Sequence, residues 1–286
     1  MDDDTILTIH GPAVAALPLV LDSPHSGQRM PPDFGSIRSV AELREGEDSF
    51  IDALFMPAVA RGVPLLAAQF PRTYLDANRH AGDIDPELMD APWPQPLNLS
   101  TKAGIGKALV WRCLDADRPL YDRRLTVAEV QHRIDRCHTP YHAALRRLLD
   151  GAHARHGVVH HFNCHSMPPN SSFLIEGVAG QPRADIVLGD RDGSTCAPAF
   201  TTFVHRHLAA AGLTVAVNDP YKGVELVRAY SDPAAGRHSL QIEINKRLYM
   251  DTATLQRNDG FERMQQVLLS LVDALASDFF IRAHHA

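Results

Sequence analysis

Short apolar runs alternate with longer amphipathic stretches along this chain, and that alternation predicts most of its elements. Residues 17–21 (LPLVL) read as a short buried strand that feeds the loop DSPHSG. From residue 47 to about 61, Phe50, Ile51, Leu54, Phe55 and Val59 recur at helical spacing. Residues 63–70 form a second strand-like run, followed by PRTYLDANR. Residues 80–107 are rich in Pro, Gly and Asp, an irregular length that is uncommon unless functional or disordered. Residues 108–113 predict another short strand. Thr126-Val127-Ala128-Glu129 fits a capping box, in which hydroxyl and carboxylate satisfy the first free N–H groups of a helix. That helix is expected to run to about Cys137, to kink or restart at Pro140, and to continue to His156 before Gly157. A buried strand at 158–162 then ends in the proline-stiffened loop NCHSMPPN. Strands at 185–188, 213–217 and 239–244, a helix at 198–211 and an amphipathic helix at about 261–280 complete the chain. Strands alternating with helices argue for an α/β fold, a largely parallel sheet flanked by helices on both faces. No internal repeat or linker interrupts residues 1–286, so a single domain is expected.

Four segments place polar groups just after an apolar strand or within its end: DSPHSG (22–27), DANR (76–79), NCHS (163–166) and QIEIN (241–245). In a parallel sheet such strand ends converge on one edge, where ligands bind. The chemistry on offer is His25, His165, the strand carboxylate Glu243 and the pair Asn78 and Arg79. Two histidines, a carboxylate and a water make a common catalytic zinc shell. A nearby carboxylate can act as general base on the water, and an Asn-Arg pair is a planar donor fork suited to a substrate carboxylate. Each residue also has a plainer reading. His165 alone fits a structural histidine at a strand end, and His160 and His161 fit packing within the strand. Glu243 alternates with Ile242 and Ile244 and faces the other side of the sheet, where a buried salt bridge would also satisfy it. Asn78 and Arg79 fit a tied-down loop. Arg72, Lys222 and Arg228 are loop cations within reach of a second substrate carboxylate, each also readable as solvated surface charge.

The set PHSG, DANR, NCHSMP, DIVLGDRDG, NDPYKG and QIEINKRLYMD, in this order between about residues 18 and 252, resembles the N-formylglutamate amidohydrolase (deformylase) family. The resemblance implies a three-layer α/β/α, zinc-exopeptidase-like fold with a central mostly parallel or mixed sheet. It implies hydrolysis of N-formyl-L-glutamate to formate and L-glutamate in histidine degradation, with one divalent metal ion, expected to be zinc. DANR is similar to the Asn-Arg that holds the terminal carboxylate in zinc carboxypeptidases, and Glu243 is similar to their general base. Two departures stand out. Those peptidases take a histidine and a carboxylate from one HxxE motif, whereas His25-Ser-Gly-Gln28 has no acid. The third ligand is therefore expected from GEDSFID, at Asp48 or Glu47, both at the predicted start of a helix, where the dipole favours acids in any case. Asp48 is preferred, because Glu47 reads as the outward neighbour of the apolar stripe. The other departure is Val224 in PYKGV, where members of the family are expected to read PYKGG. It keeps open a related zinc amidohydrolase acting on another N-acyl amino acid or a small peptide. A non-catalytic ligand-binding module would have lost the base, and Glu243 is present.

Net charge is -6 and no basic run or aromatic-basic stripe occurs, which argues against a nucleic-acid partner. The start MDDDTILTIHG lacks the basic and apolar segments of a signal peptide, and no apolar run is long enough to span a bilayer. The four cysteines form no CxxC pair and read as free thiols of a cytoplasmic protein whose partner is a small N-acyl amino acid. Histidine is the outlier, with 16 residues; the closing Ala-His-His-Ala reads as a solvated tail. Nothing in the sequence addresses oligomeric state.

Overall fold

The computed structural model describes residues 5–283, so the final His-His-Ala of the expected tail lies outside it. Seven strands form one sheet: β1 Leu7–His10, β2 Leu19–Ser23, β3 Leu65–Ala68, β4 Val159–Met167, β5 Ile186–Gly189, β6 Val215–Val217 and β7 Arg237–Asn245. Their order is β1-β3-β2-β4-β7-β5-β6. β2, β4 and β7 run parallel, and β5 is antiparallel to β7 but parallel to β6. The sheet is therefore mixed. With the flanking helices, among them Ile51–Phe55, Thr139–His156, Pro198–Ala210 and Phe261–Ala274, it makes the expected three-layer α/β fold.

The chain divides into two compact units. The larger comprises Ile9–Ser23, Ser49–Leu65 and Arg147–Ala286. Its core follows from the two-residue period of its strands. Leu19, Leu21, Phe162, Cys164, Leu240, Ile242 and Ile244 lie on one sheet face and join a cluster with Leu54, Phe55, Phe200, Val204, Leu268 and Leu271 from the helices. The opposite face carries Asp22, His161, Asn163, His165, Ser239, Gln241 and Glu243, all buried. One face is thus built for packing and the other for chemistry.

β4 is longer than the sequence predicts. It continues through Asn163, Cys164, His165 and Ser166 to Met167, every residue buried, because its pairing with β7 runs unbroken from Val159 opposite Arg237 to Met167 opposite Asn245. The polar residues that read as a loop are alternate positions of a strand with one polar face.

The smaller unit comprises Met1–Thr8, Pro24–Asp48 and Leu66–Arg146. Much of it is irregular backbone with two short 3-10 turns, Pro86–Leu88 and Ala103–Ile105, as the composition of residues 80–107 suggests. Its interior is organised around Arg133, fully buried, which donates to the carbonyls of Tyr74 and Phe34 and to the Tyr121 hydroxyl while lying 4.2 Å from the Tyr74 ring centroid. The strand expected at 108–113 is absent. The run is buried, but its peptide groups bond to loops: Asp76 N–H donates to Leu109, Leu109 N–H to Asp83 and Arg112 N–H to Gly106. A short apolar run signals burial more securely than it signals strand.

The capping box forms as read, with Thr126 and Glu129 exchanging side-chain-to-backbone bonds of 3.2 and 2.8 Å. Val127–Arg133 passes through one π-helical turn, Ile134–His138, into Thr139–His156. Pro140 follows that π turn directly, and the locally widened helix is where a residue without an N–H is accommodated. The helix expected at 47–61 begins only at Ile51, after Phe50 in a left-handed conformation at φ 65°. Glu47 and Asp48 precede it, so a helix-terminus role for them has no basis.

Gly27 shows how tightly the PHSG loop is packed. A Cβ there would overlap the carbonyl groups of Gln69 and Phe70, and backbone cannot swing aside as a flexible side chain can. Gly27→Ala should therefore lower stability by about 1–3 kcal/mol, read as a lower urea midpoint at unchanged slope.

Candidate active site

Within the smaller unit, the turn after β2 delivers His25, which is 1% exposed. Its Nε2 is 2.6 Å from Oδ1 of the fully buried Asp76, and its Nδ1 is 3.2 Å from Asp48 Oδ2. A proton on Nε2 satisfies the shorter bond. The Nδ1 lone pair then faces the Asp48 carboxylate, two acceptors that call for a cation between them. The Asp48 loop is anchored to the same turn, its N–H donating to the His25 carbonyl at 3.0 Å and the Ser26 hydroxyl donating to the Asp48 carbonyl at 2.9 Å.

Asp76 organises the surroundings. It receives Arg72 at 2.9 Å and the Asn78 N–H at 2.9 Å, and Arg79 lies 3.7 Å away. Burial alone would raise its carboxyl pKa; the short His25 contact and the guanidinium charges of Arg79 and Arg72 prevail and hold it well below the usual carboxylate range. Arg79 is 5% exposed and donates to the carbonyls of Asn78 at 3.1 Å and Lys107 at 3.3 Å. The loop carrying Asn78 and Arg79 is held from behind by His138 and His142, stacked rings whose N–H groups donate to the carbonyls of Arg79 and Ala77 at 2.9 Å each.

Within the larger unit, the polar sheet face carries a continuous chain of bonds. Ser239 Oγ lies 3.1 Å from His161 Nδ1, and His161 Nε2 lies 2.8 Å from Asp22 Oδ1. Asn163 donates to the same Asp22 oxygen at 2.8 Å, which leaves its amide oxygen to accept from His165 Nε2 at 2.7 Å. His165 accordingly carries its proton on Nε2 and a lone pair on Nδ1. Glu243, 7% exposed, is the register partner of His165 on β7, one strand away on the same face, and Gln241 donates to its carboxylate at 2.8 Å.

His25 and Asp48 in the smaller unit and His165 in the larger are all buried, and each offers one ligand atom. Two imidazoles and a carboxylate form a donor set that fits a divalent ion such as zinc. Glu47 is turned instead to Arg44, at 3.0 Å, and Gln28. Of the loop cations, Arg72 belongs to the Asp76 network, also lying 3.8 Å from Asp48. Lys222 pairs with Asp192 at 2.9 Å and is 58% exposed, and Arg228 pairs with Glu225 on its own helical turn. Both cations are exposed. Val224 has φ -120°, not the positive φ at which glycine is favoured. Asp76, Asp22 and Asn163 did not stand out in the sequence, although each lies inside a segment that did. The available signal was an acid directly after an apolar residue, as in Leu75-Asp76 and Leu21-Asp22.

The profile of the N-formylglutamate amidohydrolase family matches residues 17–250. The N-formylglutamate deformylase of Pseudomonas putida is 27% identical over 281 residues, 95% of this chain and 96% of that protein. The N-formylglutamate deformylase of Pseudomonas aeruginosa is 27% identical over 91% of this chain and 92% of its own. The crystal structure of N-formylglutamate amidohydrolase from Ralstonia eutropha JMP134 superposes with a TM-score of 0.91 at 48% identity, covering 97% of this chain and 99% of that one. A gene product of Agrobacterium tumefaciens, 16% identical, shares the fold at a TM-score of 0.63 over 96% of this chain and 98% of its own.

Proposed function

Since this chain belongs to the N-formylglutamate amidohydrolase family, we propose that it hydrolyses N-formyl-L-glutamate to formate and L-glutamate, in histidine degradation. The observation that carries this reading is the buried donor chemistry of each unit, His25 against Asp48 in the smaller and His165 beside Glu243 on the neighbouring strand in the larger. His25, Asp48 and His165 would hold one divalent ion, taken to be zinc, which when bound polarises a carbonyl and lowers the pKa of a water. Glu243 removes the proton of the attacking water and returns it to the departing nitrogen, so that formate and a free amine result. Arg79 and Asn78 hold the α-carboxylate and fix the formamide for attack, the Arg79 guanidinium being preset by its carbonyl partners. Asp76 and Asn163 set the tautomers of His25 and His165, so that both rings present Nδ1. Four buried free cysteines suit a reducing cytoplasm, and among the described residues no helix is long and apolar enough to cross a membrane.

A panel of formyl, acetyl and succinyl derivatives of glutamate, glutamine and aspartate tests the reading. The highest kcat/KM is expected for N-formyl-L-glutamate; a better acetyl or succinyl substrate would reassign the enzyme within N-acyl amino acid hydrolysis. Asp76→Asn removes the charge behind His25 and should weaken zinc affinity by about 10–100-fold in competition titrations with a chelator, whereas unchanged affinity would make Asp76 a loop anchor only.

A further inference from the structure

A second set of donors lies within the smaller unit, beside the Asp76 network. The Trp111 indole is 5% exposed and Thr73 fully buried, yet the indole N–H and the Thr73 hydroxyl find no hydrogen-bond partner among the described residues. The two side chains are neighbours through their apolar atoms: a Cβ added at Gly46 would stand 2.9 Å from the Thr73 methyl and 3.3 Å from Trp111 Cζ3, on the side of each away from its donor. Two cations face the same indole, Lys107 Nζ at 4.8 Å from its centroid and Arg72 Cζ at 5.1 Å. Arg72 is compensated by Asp76, but among the described residues no carboxylate forms an ion pair with Lys107. Burial first, then the charges of Arg72 and Lys102, lower the Lys107 pKa, as befits an ammonium short of a counter-charge. The segment is joined to the substrate loop, since Arg79 Nε donates to the Lys107 carbonyl. Half-buried positive charge and orphaned donors together describe a place made for an anion.

We propose that Lys107, Trp111 and Thr73 form the subsite for the side-chain carboxylate of an N-formyl dicarboxylic amino acid and so determine the preference for an acidic side chain. The proposal rests on the hydrolase reading above and assigns the role that Lys222 and Arg228, paired at the surface, do not fill. Lys107 supplies the charge, and the indole N–H and the hydroxyl supply direction. An amide in place of the carboxylate would leave the ammonium uncompensated.

Calorimetric titration of glutarate and of its monoamide, glutaramate, into the metal-loaded protein tests this without turnover. The native chain should bind glutarate at least tenfold more tightly than glutaramate. Lys107→Met should abolish that preference, Lys107→Arg should keep most of it, and Trp111→Phe, which removes only the N–H and one ring, should reduce it severalfold. An undiminished preference in Lys107→Met, or none in the native chain, overturns the subsite. If Lys107→Met does not fold, as circular dichroism would show, Trp111→Phe decides: a reduced preference supports the subsite and an unchanged one overturns it. Formate release from N-formyl-L-glutamate separates the two readings. Lys107-dependent glutarate binding without formate release keeps the subsite and removes the hydrolase reading. Formate release with a preference for glutamate over glutamine derivatives that survives Lys107→Met does the reverse.

Discussion

Glu243→Gln should slow turnover of N-formyl-L-glutamate by about 10²–10⁴-fold, the usual contribution of a general base, while metal content and substrate binding stay close to those of the native chain. The side chain is buried on β7 directly opposite His165, and Gln241 donates to its carboxylate, so the group is held rather than mobile. Glutamine keeps the volume and one acceptor oxygen but cannot take up a proton from water. Steady-state kinetics beside metal analysis give a clean reading. Near-native turnover would make Glu243 a structural anchor. Loss of metal would make it a ligand, and Asp48 would lose that assignment.

His165→Ala should empty the metal site. Inductively coupled plasma analysis should fall from about one divalent ion per chain towards none, and hydrolysis should fall by more than the about 10–100-fold that outer partners of a metal site contribute. The fold should survive, because His165 projects from the polar face of β4, whereas the core rests on Phe162 and Cys164 on the other face. His25→Ala should behave alike in metal content. It also leaves Asp76 facing Arg72 and Arg79 without its imidazole partner, so a larger loss of stability is expected there than for His165→Ala. Full metal occupancy in either variant would remove that residue from the ligand set.

The sequence was most legible where a period or a cap carries its own meaning. Alternation of Ile242, Glu243 and Ile244 placed one carboxylate away from two core residues, and β7 bears that out. The Thr126 and Glu129 box located a helix start to the residue. Apolar runs located strands at β2, β3, β5 and β7 within two or three residues. Two misreadings of strand against loop share a cause. Residues 108–113 are as apolar as a strand but use their peptide groups on loops, and Asn163 to Ser166 are as polar as a loop but complete a ladder with β7. Side-chain polarity reports the environment of a side chain, whereas strand or loop is decided by where the backbone finds its hydrogen-bond partners, and those lie far away in sequence.

The same division runs through the candidate site. By itself the sequence determined the α/β class, the polar segments that follow or lie within the strands, and the residue types able to do metal-dependent hydrolysis, because periodicity and local chemistry are properties of neighbouring residues. Only the tertiary structure decided which acids matter. Asp76 lies 51 positions from His25, and Asp22 lies 139 from His161, separations at which one buried carboxylate looks like any other. Folding brings each to an imidazole, and there burial makes the pairing obligatory: an acid shut away from water needs a partner, and at His25 that pairing fixes which ring nitrogen keeps its lone pair.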